Sequence, residues 1–205
     1  MKGFQLEKKY LKMGYRTIAG VDEAGRGALF GPVVAAAVIL PRRFILNEGR
    51  REIEEVDDSK SLSPRKRRRL AWFILSEALA VGVGVVTNTE IERKNIHHAS
   101  LEAMKRAIRR LKISPEIILV DGYSLKDPNF NHISIPQGDR KCLSIAAASI
   151  VAKVVRDKMM VLIDKVYCGY SLGKNKGYGT REHFQALKEK GPTPFHRQTF
   201  NLGLG

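Results

Sequence analysis

The amino-acid sequence predicts an α/β protein in which helices flank a central mixed sheet of five strands. Short apolar runs, of the length that buried strands have, recur along the chain. They alternate with longer segments whose apolar residues are spaced by three and four positions, as on one face of a helix. Strands and helices in such mixed order are typical of a layered domain with a sheet at its centre.

The first two strands are predicted on either side of a glycine-rich segment. Residues 17–21 (TIAGV) form a short β-branched and apolar run that leads into Asp22 and Glu23. Residues 33–40 (VVAAAVIL) follow a Gly-Pro pair, and their length suits a buried strand. Because the two runs are close in sequence, we expect them to pair in antiparallel fashion.

The middle of the chain predicts a helix, a strand and a second helix. Ser63 has the position of an N-cap and Pro64 that of the first helical residue, so a helix begins there and continues through RKRRRLAWFILSEALA. Residues 81–87 (VGVGVVT) indicate the third strand. The second helix covers about residues 96–111, with apolar positions spaced by three and four at Leu101, Met104, Ile108 and Leu111.

The last part of the chain predicts two more strands and two more helices. Residues 116–120 indicate the fourth strand, which ends at Asp121, and residues 132–135 indicate a short fifth strand. Residues 143–166 indicate a long helix, and Thr180 is placed to cap a final one.

The chain is strongly basic. Lys and Arg together number 36 and Asp and Glu 21, which gives a formal net charge of +15. Such an excess favours polyanionic partners, nucleic acid first and an anionic membrane surface second, although a merely soluble basic protein accounts for it about as well. The five consecutive basic residues 65–69 must point in all directions around a helix, so we assign most of them to solvated surface.

The remaining bulk features favour one domain inside the cell. No repeat or linker divides the chain, so we expect residues 1–205 to form a single domain on which the helical part, about residues 140–205, packs. Cys142 and Cys168 match neither a metal-ligand spacing nor a disulfide framework. No signal peptide is evident, and the longest apolar run, residues 33–40, is too short to span a bilayer. We therefore expect a cytoplasmic monomer without a membrane partner.

Three acidic residues stand where predicted strands end. Asp22 and Glu23 follow the first strand, and Asp121 follows the fourth. Ligand sites in open α/β sheets lie just outside the carboxyl ends of the strands, so the three carboxylates meet if these two strands are parallel neighbours. Neighbours on a regular strand point to opposite faces, so Asp22 and Glu23 could share a metal only where the strand ends or bulges. Taken singly, Asp121 is better explained as the cap of a turn.

A fourth carboxylate, Asp157, lies in the predicted long helix. Ser149, Lys153 and Asp157 are spaced by four and form a polar seam on a mostly apolar helix. Hard oxygen ligands with few histidines suit Mg²⁺ or Mn²⁺, and two such ions about 4 Å apart would clamp a phosphodiester under attack by water. The residues alone thus indicate a metal-dependent nuclease, although a simple ion pair with Lys153 explains Asp157 equally well.

Several motifs occur in a fixed order along the chain. They are GVDEAGRG followed by GPVVAAAVIL, then DDSKSLS, LVDG, AAASIVAKVVRD, GYGTREH and PFHRQTF, and they extend from about residue 17 to residue 200. Together they resemble the signature of the ribonuclease HII family, the type 2 ribonucleases H. The resemblance implies an RNase H-like fold and endonucleolytic cleavage of RNA in RNA–DNA hybrids. It also implies incision at single ribonucleotides embedded in DNA.

The resemblance implies a set of catalytic, metal-binding carboxylates. In that family the residues matching Asp22, Glu23, Asp121 and Asp157 hold two divalent ions. Water attacks the phosphodiester on the 5′ side of a ribonucleotide and leaves a 3′-hydroxyl and a 5′-phosphate. The implied cofactor is therefore Mg²⁺ or Mn²⁺, and the implied partner is a nucleic-acid duplex.

The resemblance also assigns contacts with the substrate. The backbone of Gly25, Arg26 and Gly27 is implied to contact the 2′-hydroxyl, and glycines allow the chain to come close to a sugar edge. Tyr178 is implied to stack on the neighbouring deoxyribose. Further candidate contacts are Lys60, Asn95, Ser149 and Lys153. Without the flanking motifs, an ordinary turn would account for both the glycines and the tyrosine.

Two other classes of protein fit part of the sequence pattern. A basic nucleic-acid-binding protein without catalysis fits the charge, but acids clustered near a phosphate-binding face weaken binding unless cations bridge them. Another RNase H-like nuclease or a resolvase fits the carboxylates, but an enzyme that acts on DNA alone has no use for a sensor of the 2′-hydroxyl.

Overall fold

The computed structural model describes residues 5–46, 51–56, 59 and 62–204. Strands in this part of the chain form one five-stranded sheet in the order β3-β2-β1-β4-β5. Their bounds are β1 Ile18–Ala24, β2 Val33–Ile39, β3 Ala80–Val86, β4 Ile117–Asp121 and β5 His132–Ile135. Each predicted strand is therefore present, and the fifth has the predicted bounds.

The sheet is mixed, as predicted. β1 pairs with β2 and β2 with β3 in antiparallel fashion, whereas β1–β4 and β4–β5 are parallel pairs. The parallel register ends with Val21 opposite Val120, so Asp22 and Asp121 are the next residues on the two strands. The acidic residues of the central strand β1 and of its parallel neighbour β4 thus lie at the same edge of the sheet.

Helices cover both faces of this sheet. Their bounds are α1 Gln5–Lys12, α2 Arg42–Ile45, α3 Arg51–Glu54, α4 Pro64–Glu77, α5 Asn88–Arg109, α6 Leu143–Asp164, α7 Leu172–Asn175 and α8 Arg181–Lys190, with a 3₁₀ turn at Gly138–Arg140.

The predicted caps are confirmed. Ser63 Oγ accepts a hydrogen bond from Lys66 N at 3.3 Å, and Thr180 Oγ1 accepts one from His183 N at 3.3 Å. Two helix boundaries differ from prediction by three residues or more. α4 stops short of the predicted end because Ala80 already pairs in β3, and α5 begins at Asn88, well before residue 96.

Two apolar cores lie on the two faces of the sheet. α5 packs on one face through residues such as Met104 and Ile108, and α4 and α6 pack on the other through residues such as Leu70 and Ile150. α6 lies directly on the central strand at Gly20, where a Cβ atom would come within 2.1 Å of the backbone carbon of Ser144. The glycine therefore allows the helix that carries Asp157 to approach β1 closely.

The amino-terminal end of α6 is capped by a residue from α1. Glu7 is fully buried, and its carboxylate accepts hydrogen bonds from the backbone of Leu143 at 2.7 Å and of Ser144 at 2.8 Å. Burial raises the pKa of Glu7, and the hydrogen bonds from Ser144 and Leu143 oppose this effect. The helix has no side-chain cap of its own at Cys142, so α1 supplies the missing acceptor.

A third apolar cluster joins the carboxy-terminal helices to the loop between β1 and β2. Leu29 and Phe30 of that loop pack with Met160 of α6, Leu172 of α7 and Leu187 of α8. This packing fixes the loop that follows Glu23 against the last third of the chain.

Several large apolar side chains lie on the surface, and Trp72 is the largest of them. Trp72 of α4 is 72% exposed and borders a groove of 680 Å³ between α4 and α6, which Leu75 and Val161 also line. Among the residues described, no helix is both long and apolar enough to cross a membrane.

Candidate active site

The first two acidic residues lie inside a strand and not after it. β1 continues through Asp22 and Glu23 to Ala24, because β2 still pairs with it there, with Asp22 opposite Ala36 and Glu23 opposite Ala35. The prediction that this strand ends at residue 21 is therefore wrong. What does end at Val21 is the parallel pairing with β4, so that one side of the strand is open where Asp22 begins.

Asp22, Glu23 and Asp121 lie close enough to act on one another's charge. Burial raises the pKa of Asp22 well above its ordinary value, and the negative charges of Glu23 and Asp121 add to this effect. Burial likewise raises the pKa of Glu23, which the charge of Arg26 opposes and the charge of Asp121 reinforces. The predicted meeting of these three carboxylates at the strand ends is thus what the structure contains.

Hydrogen bonds fix the orientation of two of these carboxylates, Asp22 and Asp121. Asp22 Oδ1 accepts from the backbone N of Glu23 at 2.6 Å, and Asp121 Oδ1 accepts from the backbone N of Gly138 at 2.6 Å. The Ser149 hydroxyl also hydrogen-bonds to Asp22 and lowers its pKa. Ser59 Oγ lies 2.9 Å from Ser149 Oγ, and either hydroxyl can donate in this hydrogen bond.

Asp157 stands in different surroundings. Lys153 Nζ lies 2.7 Å from its Oδ1, and Arg67 Nη1 lies 3.5 Å from its Oδ2. The groups that raise the pKa values of Asp22 and Glu23 do not include Asp157. The structure thus contains the ion pair with Lys153 that the spacing allowed, and a catalytic role for Asp157 stays a prediction.

The donor chemistry at the strand ends fits a divalent cation. In the described part of the chain, no three Asp, Glu, His or Cys side chains are grouped closely enough to hold a metal ion as they stand. Asp22, Glu23 and Asp121 nevertheless supply hard oxygen atoms, and the negative charge of Asp121 helps to raise the pKa of both Asp22 and Glu23. A cation among them would relieve this repulsion.

A further acid at this edge was not singled out from the sequence. Asp139 is buried at 8% exposure and directly follows Gly138, whose backbone holds Asp121. It lies on the 3₁₀ turn between β5 and α6. No apolar periodicity marks such a turn, and the only signal in the sequence was its position just before the helix that carries Ser149, Lys153 and Asp157.

The glycines of the Gly-Arg-Gly motif differ in their surroundings. Gly25 has φ of +94°, and a Cβ atom there would lie 1.9 Å from Arg156 Nε. At Gly27, no heavy atom of the described residues lies within 4 Å of the Cβ position beyond its chain neighbours. The protein therefore requires glycine at residue 25, whereas at residue 27 the free space faces outward.

Arg26 links the motif to an exposed aromatic residue. Its Nη1 lies 3.8 Å from Glu23 Oε1, and its guanidinium lies 4.9 Å from the ring centroid of Tyr123, which is 54% exposed. The ring of His97 contacts the other edge of Tyr123 at 5.0 Å between centroids. Sequence analysis did not identify Tyr123 or His97, because each lies in a segment without a motif.

Tyr178 is half-buried beside two cations of α6. Lys153 Nζ and Arg156 Cζ each lie 5.3 Å from its ring centroid. Two of the predicted substrate contacts, Lys153 and Tyr178, are therefore neighbours, and Lys153 connects Tyr178 to Asp157. The two predicted halves of the site, the strand ends and the tyrosine, meet along this helix.

Two buried histidines hold the backbone of Tyr178. His196 Nδ1 accepts from Thr193 N at 2.9 Å, so its protonated Nε2 donates to His183 Nε2 at 3.1 Å. His183 then carries its proton on Nδ1, which donates to the carbonyl of Tyr178 at 3.0 Å. Burial lowers the pKa of both rings, that of His196 to about 4, so the pair is neutral and the direction of the chain is fixed.

The other predicted contacts are spread around this centre. Asn95 interrupts α5 with φ of 64°, and its Oδ1 accepts from the backbone of His97 at 3.0 Å and of His98 at 3.1 Å. It therefore caps the second half of the helix, and its contact with substrate stays a prediction. Ser149 is buried and serves Asp22, and Lys60 lies outside the described residues.

Most of the basic run 65–69 lies at the surface, as predicted, and Arg67 is the exception. It is 8% exposed, and it donates to the carbonyls of Ser59 at 2.7 Å and Leu62 at 2.8 Å in addition to its contact with Asp157. One residue of the run thus joins the segment before α4 to α6. Helical position alone could not select it from its four basic neighbours.

The chain has close relatives of known family. The family model of ribonuclease HII matches residues 19–202. The ribonuclease HII of Caldicellulosiruptor bescii is 49% identical over 197 residues, which are 96% of this chain and 92% of that protein. Another ribonuclease HII, from Caldanaerobacter subterraneus, is 50% identical over 194 residues, which are 95% of this chain and 78% of that protein.

The fold is likewise shared with solved structures. The ribonuclease H2 of Pyrococcus horikoshii is 27% identical, covers 91% of this chain and 94% of its own, and has a TM-score of 0.73. The mixed sheet and its flanking helices are therefore the predicted RNase H-like fold. From the matching family model, the relatives and the carboxylates at the strand ends, we conclude that the chain belongs to the ribonuclease HII family, the type 2 ribonuclease H endonucleases.

Proposed function

We propose that this ribonuclease H not only hydrolyses RNA in RNA–DNA hybrids but also incises DNA duplexes on the 5′ side of an embedded ribonucleotide. The observation that carries the proposal is the geometry around Glu23. Gly27, whose missing side chain leaves outward-facing space, follows the end of β1 by three residues and Glu23 by four. A sugar edge that enters this space lies beside the carboxylates that would direct cleavage.

Asp22, Glu23 and Asp121 would hold the divalent cations of the reaction. When bound, two Mg²⁺ or Mn²⁺ ions would supply the charge that activates water and stabilises the leaving oxygen. The side chains themselves orient the site. Ser149 fixes Asp22 and the backbone of Gly138 fixes Asp121, so that carboxylate oxygens are held at the sheet edge before substrate arrives. The products would be a 3′-hydroxyl and a 5′-phosphate.

The fourth carboxylate has two candidates. The family resemblance points to Asp157, which its ion pairs with Lys153 and Arg67 hold in place. The structure adds Asp139, a buried acid next to the residue that holds Asp121. Asp139→Asn and Asp157→Asn distinguish them, because loss of a metal ligand weakens the protection by Mn²⁺ against thermal unfolding, whereas loss of an ion-pair partner does not.

Tyr178 would recognise the sugar that follows the ribonucleotide. Its ring lies beside Lys153 and Arg156, and the histidine pair fixes its backbone. An aromatic face in this position suits stacking on a deoxyribose, and the neighbouring Lys153 suits a phosphate. Asn95 and Lys60 would add contacts with the duplex backbone.

We further propose that residues 1–205 act as one catalytic domain, monomeric and cytoplasmic. α6 packs on the central strands β1 and β2, and the third apolar cluster ties the last helices to the loop after β1. Both parts therefore contribute to one site. Sedimentation of the protein at micromolar concentration tests the monomeric state.

The deciding experiment uses a DNA duplex with one internal ribonucleotide. We expect the wild type to cut it 5′ of the ribonucleotide in the presence of Mg²⁺ or Mn²⁺, and we expect Asp22→Asn to lose this activity by a factor of about 10² or more. An all-DNA duplex of the same sequence is the control substrate. Cutting of the all-DNA duplex, or equal cutting by Asp22→Asn, contradicts the proposal.

A further inference from the structure

Two arginines, Arg156 and Arg197, are fully buried near each other in the loop region behind the site. Both are 0% exposed, and burial lowers the pKa of each, that of Arg197 to about 9 with a further contribution from the charge of Arg156. Their hydrogen bonds go to backbone carbonyls. Burial of two cations near each other is costly, and here hydrogen bonds to backbone carbonyls of separate segments offset this cost.

Arg197 organises the loop that carries the Gly-Arg-Gly motif. Its Nη1 donates to the carbonyl of Arg26 at 2.8 Å, and its Nε and Nη2 donate to the carbonyl of Gly31 at 3.0 and 2.9 Å. Its own backbone N donates to the carbonyl of Leu29 at 2.8 Å. One planar guanidinium thus fixes both ends of the turn between Arg26 and Gly31.

Arg156 connects the same loop to the segment before Tyr178. It donates to the carbonyls of Pro32 at 3.0 Å and Phe30 at 3.1 Å on one side, and to the carbonyl of Lys176 at 2.8 Å on the other. Its guanidinium also lies 5.3 Å from the ring centroid of Tyr178 and occupies the space that a side chain at residue 25 would need.

A direct backbone contact completes the connection. The carbonyl of Gly177 accepts from Leu29 N at 2.8 Å and from Phe30 N at 3.2 Å. The motif loop and the tyrosine segment lie about 150 positions apart in the sequence but form one hydrogen-bonded unit, in which each carbonyl has its donor.

We propose that Arg197 and Arg156 are positioning residues for ribonucleotide selection, which set the spacing between the Gly25–Gly27 backbone and the ring of Tyr178. This inference rests on the proposed function. A single ribonucleotide followed by DNA must contact both elements at once. Its 2′-hydroxyl would contact the Gly25–Gly27 backbone, and the next sugar would contact the ring of Tyr178. Their separation must therefore match one nucleotide step, and small displacements of a positioned group lower rates by large factors.

The test compares two substrates in one variant. Arg197→Lys keeps the charge but loses the planar fork that joins Arg26 to Gly31. We expect kcat/KM on a DNA duplex with one ribonucleotide to fall about tenfold to a hundredfold. We expect a smaller loss on a long RNA–DNA hybrid, because no RNA-to-DNA junction has to be matched there. Arg181→Lys, at an exposed position of α8, is the matched control.

The ratio of the two kcat/KM values separates positioning from a general structural role. An equal loss on both substrates, or an unchanged ratio, overturns the inference, since a role in folding alone lowers both activities together. If Arg197→Lys does not fold, as shown by circular dichroism, Arg156→Lys is measured in the same way. Failure of the wild type to cut at the single ribonucleotide would instead refute the proposed function.

Discussion

Gly25 and Gly27 belong to one motif, but the structure gives them different reasons to be glycine. Gly25 has a positive φ and lies against Arg156, whereas Gly27 faces open space. A family motif marks both positions without distinguishing them. Their surroundings do distinguish them. A side chain at residue 25 would collide with the protein and so affect folding, whereas a side chain at residue 27 would face outward and affect only the binding of a ligand.

This difference predicts opposite effects of alanine. Gly25→Ala is expected to destabilise the protein, since the added Cβ atom would overlap Arg156 Nε and L-residues rarely adopt this φ. Gly27→Ala is expected to leave the melting temperature unchanged but to lower kcat/KM on the duplex with one ribonucleotide about tenfold. Thermal unfolding and single-substrate kinetics on both variants check this. A lowered melting temperature for Gly27→Ala would show that its space is not reserved for substrate.

At the level of single residues, the sequence predicted the identity of the site better than its contacts. Asp22, Glu23 and Asp121 follow apolar runs, and this pattern was enough to place them together. Arg197 carries no such pattern, because a buried arginine in an irregular segment has no periodic signal. Its partners, the carbonyls of Arg26 and Gly31, become apparent only when the chain is folded.

At the level of elements, the capping of α6 by α1 is the contact with the clearest energetic consequence. Glu7→Gln replaces a buried carboxylate that accepts three hydrogen bonds, from Leu143 N, Ser144 N and Ser144 Oγ. Loss of this acceptor is expected to cost about 1–3 kcal/mol of unfolding free energy. Denaturant unfolding measures it, with the exposed Lys9→Gln as control in the same helix. A change no larger than in the control would mean that the amide serves α6 equally well.

The elements themselves were largely predictable because their signals are local. Ser63-Pro64 and Thr180 mark helix starts by their own chemistry, and the strands are apolar runs of the right length. The end of β1 was not predictable in this way. Whether a strand continues through Asp22 and Glu23 depends on its partner β2, which is a non-local fact. The first half of α5 was missed because Asn95 interrupts the apolar periodicity.

At the level of the whole molecule, acidification is expected to weaken the fold. The pKa of His196 is lowered from 6.5 to about 4 by burial and by the charge of His183, and that of His183 is lowered by burial as well. Because both rings are neutral when folded but titrate near 6.5 when unfolded, the unfolded state binds more protons between these values. The contribution of the histidine pair to stability is therefore lost as the pH falls from about 6.5 towards 4.

Melting temperatures measured between pH 7 and pH 4.5 test this expectation. His196→Gln should be less stable at neutral pH, since its bonds to Thr193 and His183 are altered, but it should lose less of its remaining stability on acidification. A decline as steep as that of the wild type would assign the acid sensitivity to other groups, such as the growing repulsion within a chain of charge +15.

The position of Trp72 has a consequence for how such measurements are made. It is the only tryptophan of the sequence, and it is already 72% exposed in the folded protein. Its fluorescence should therefore change little when the chain unfolds, so that far-ultraviolet circular dichroism is the better signal for stability. The same property makes the emission of Trp72 a selective optical reporter of anything that covers the groove between α4 and α6.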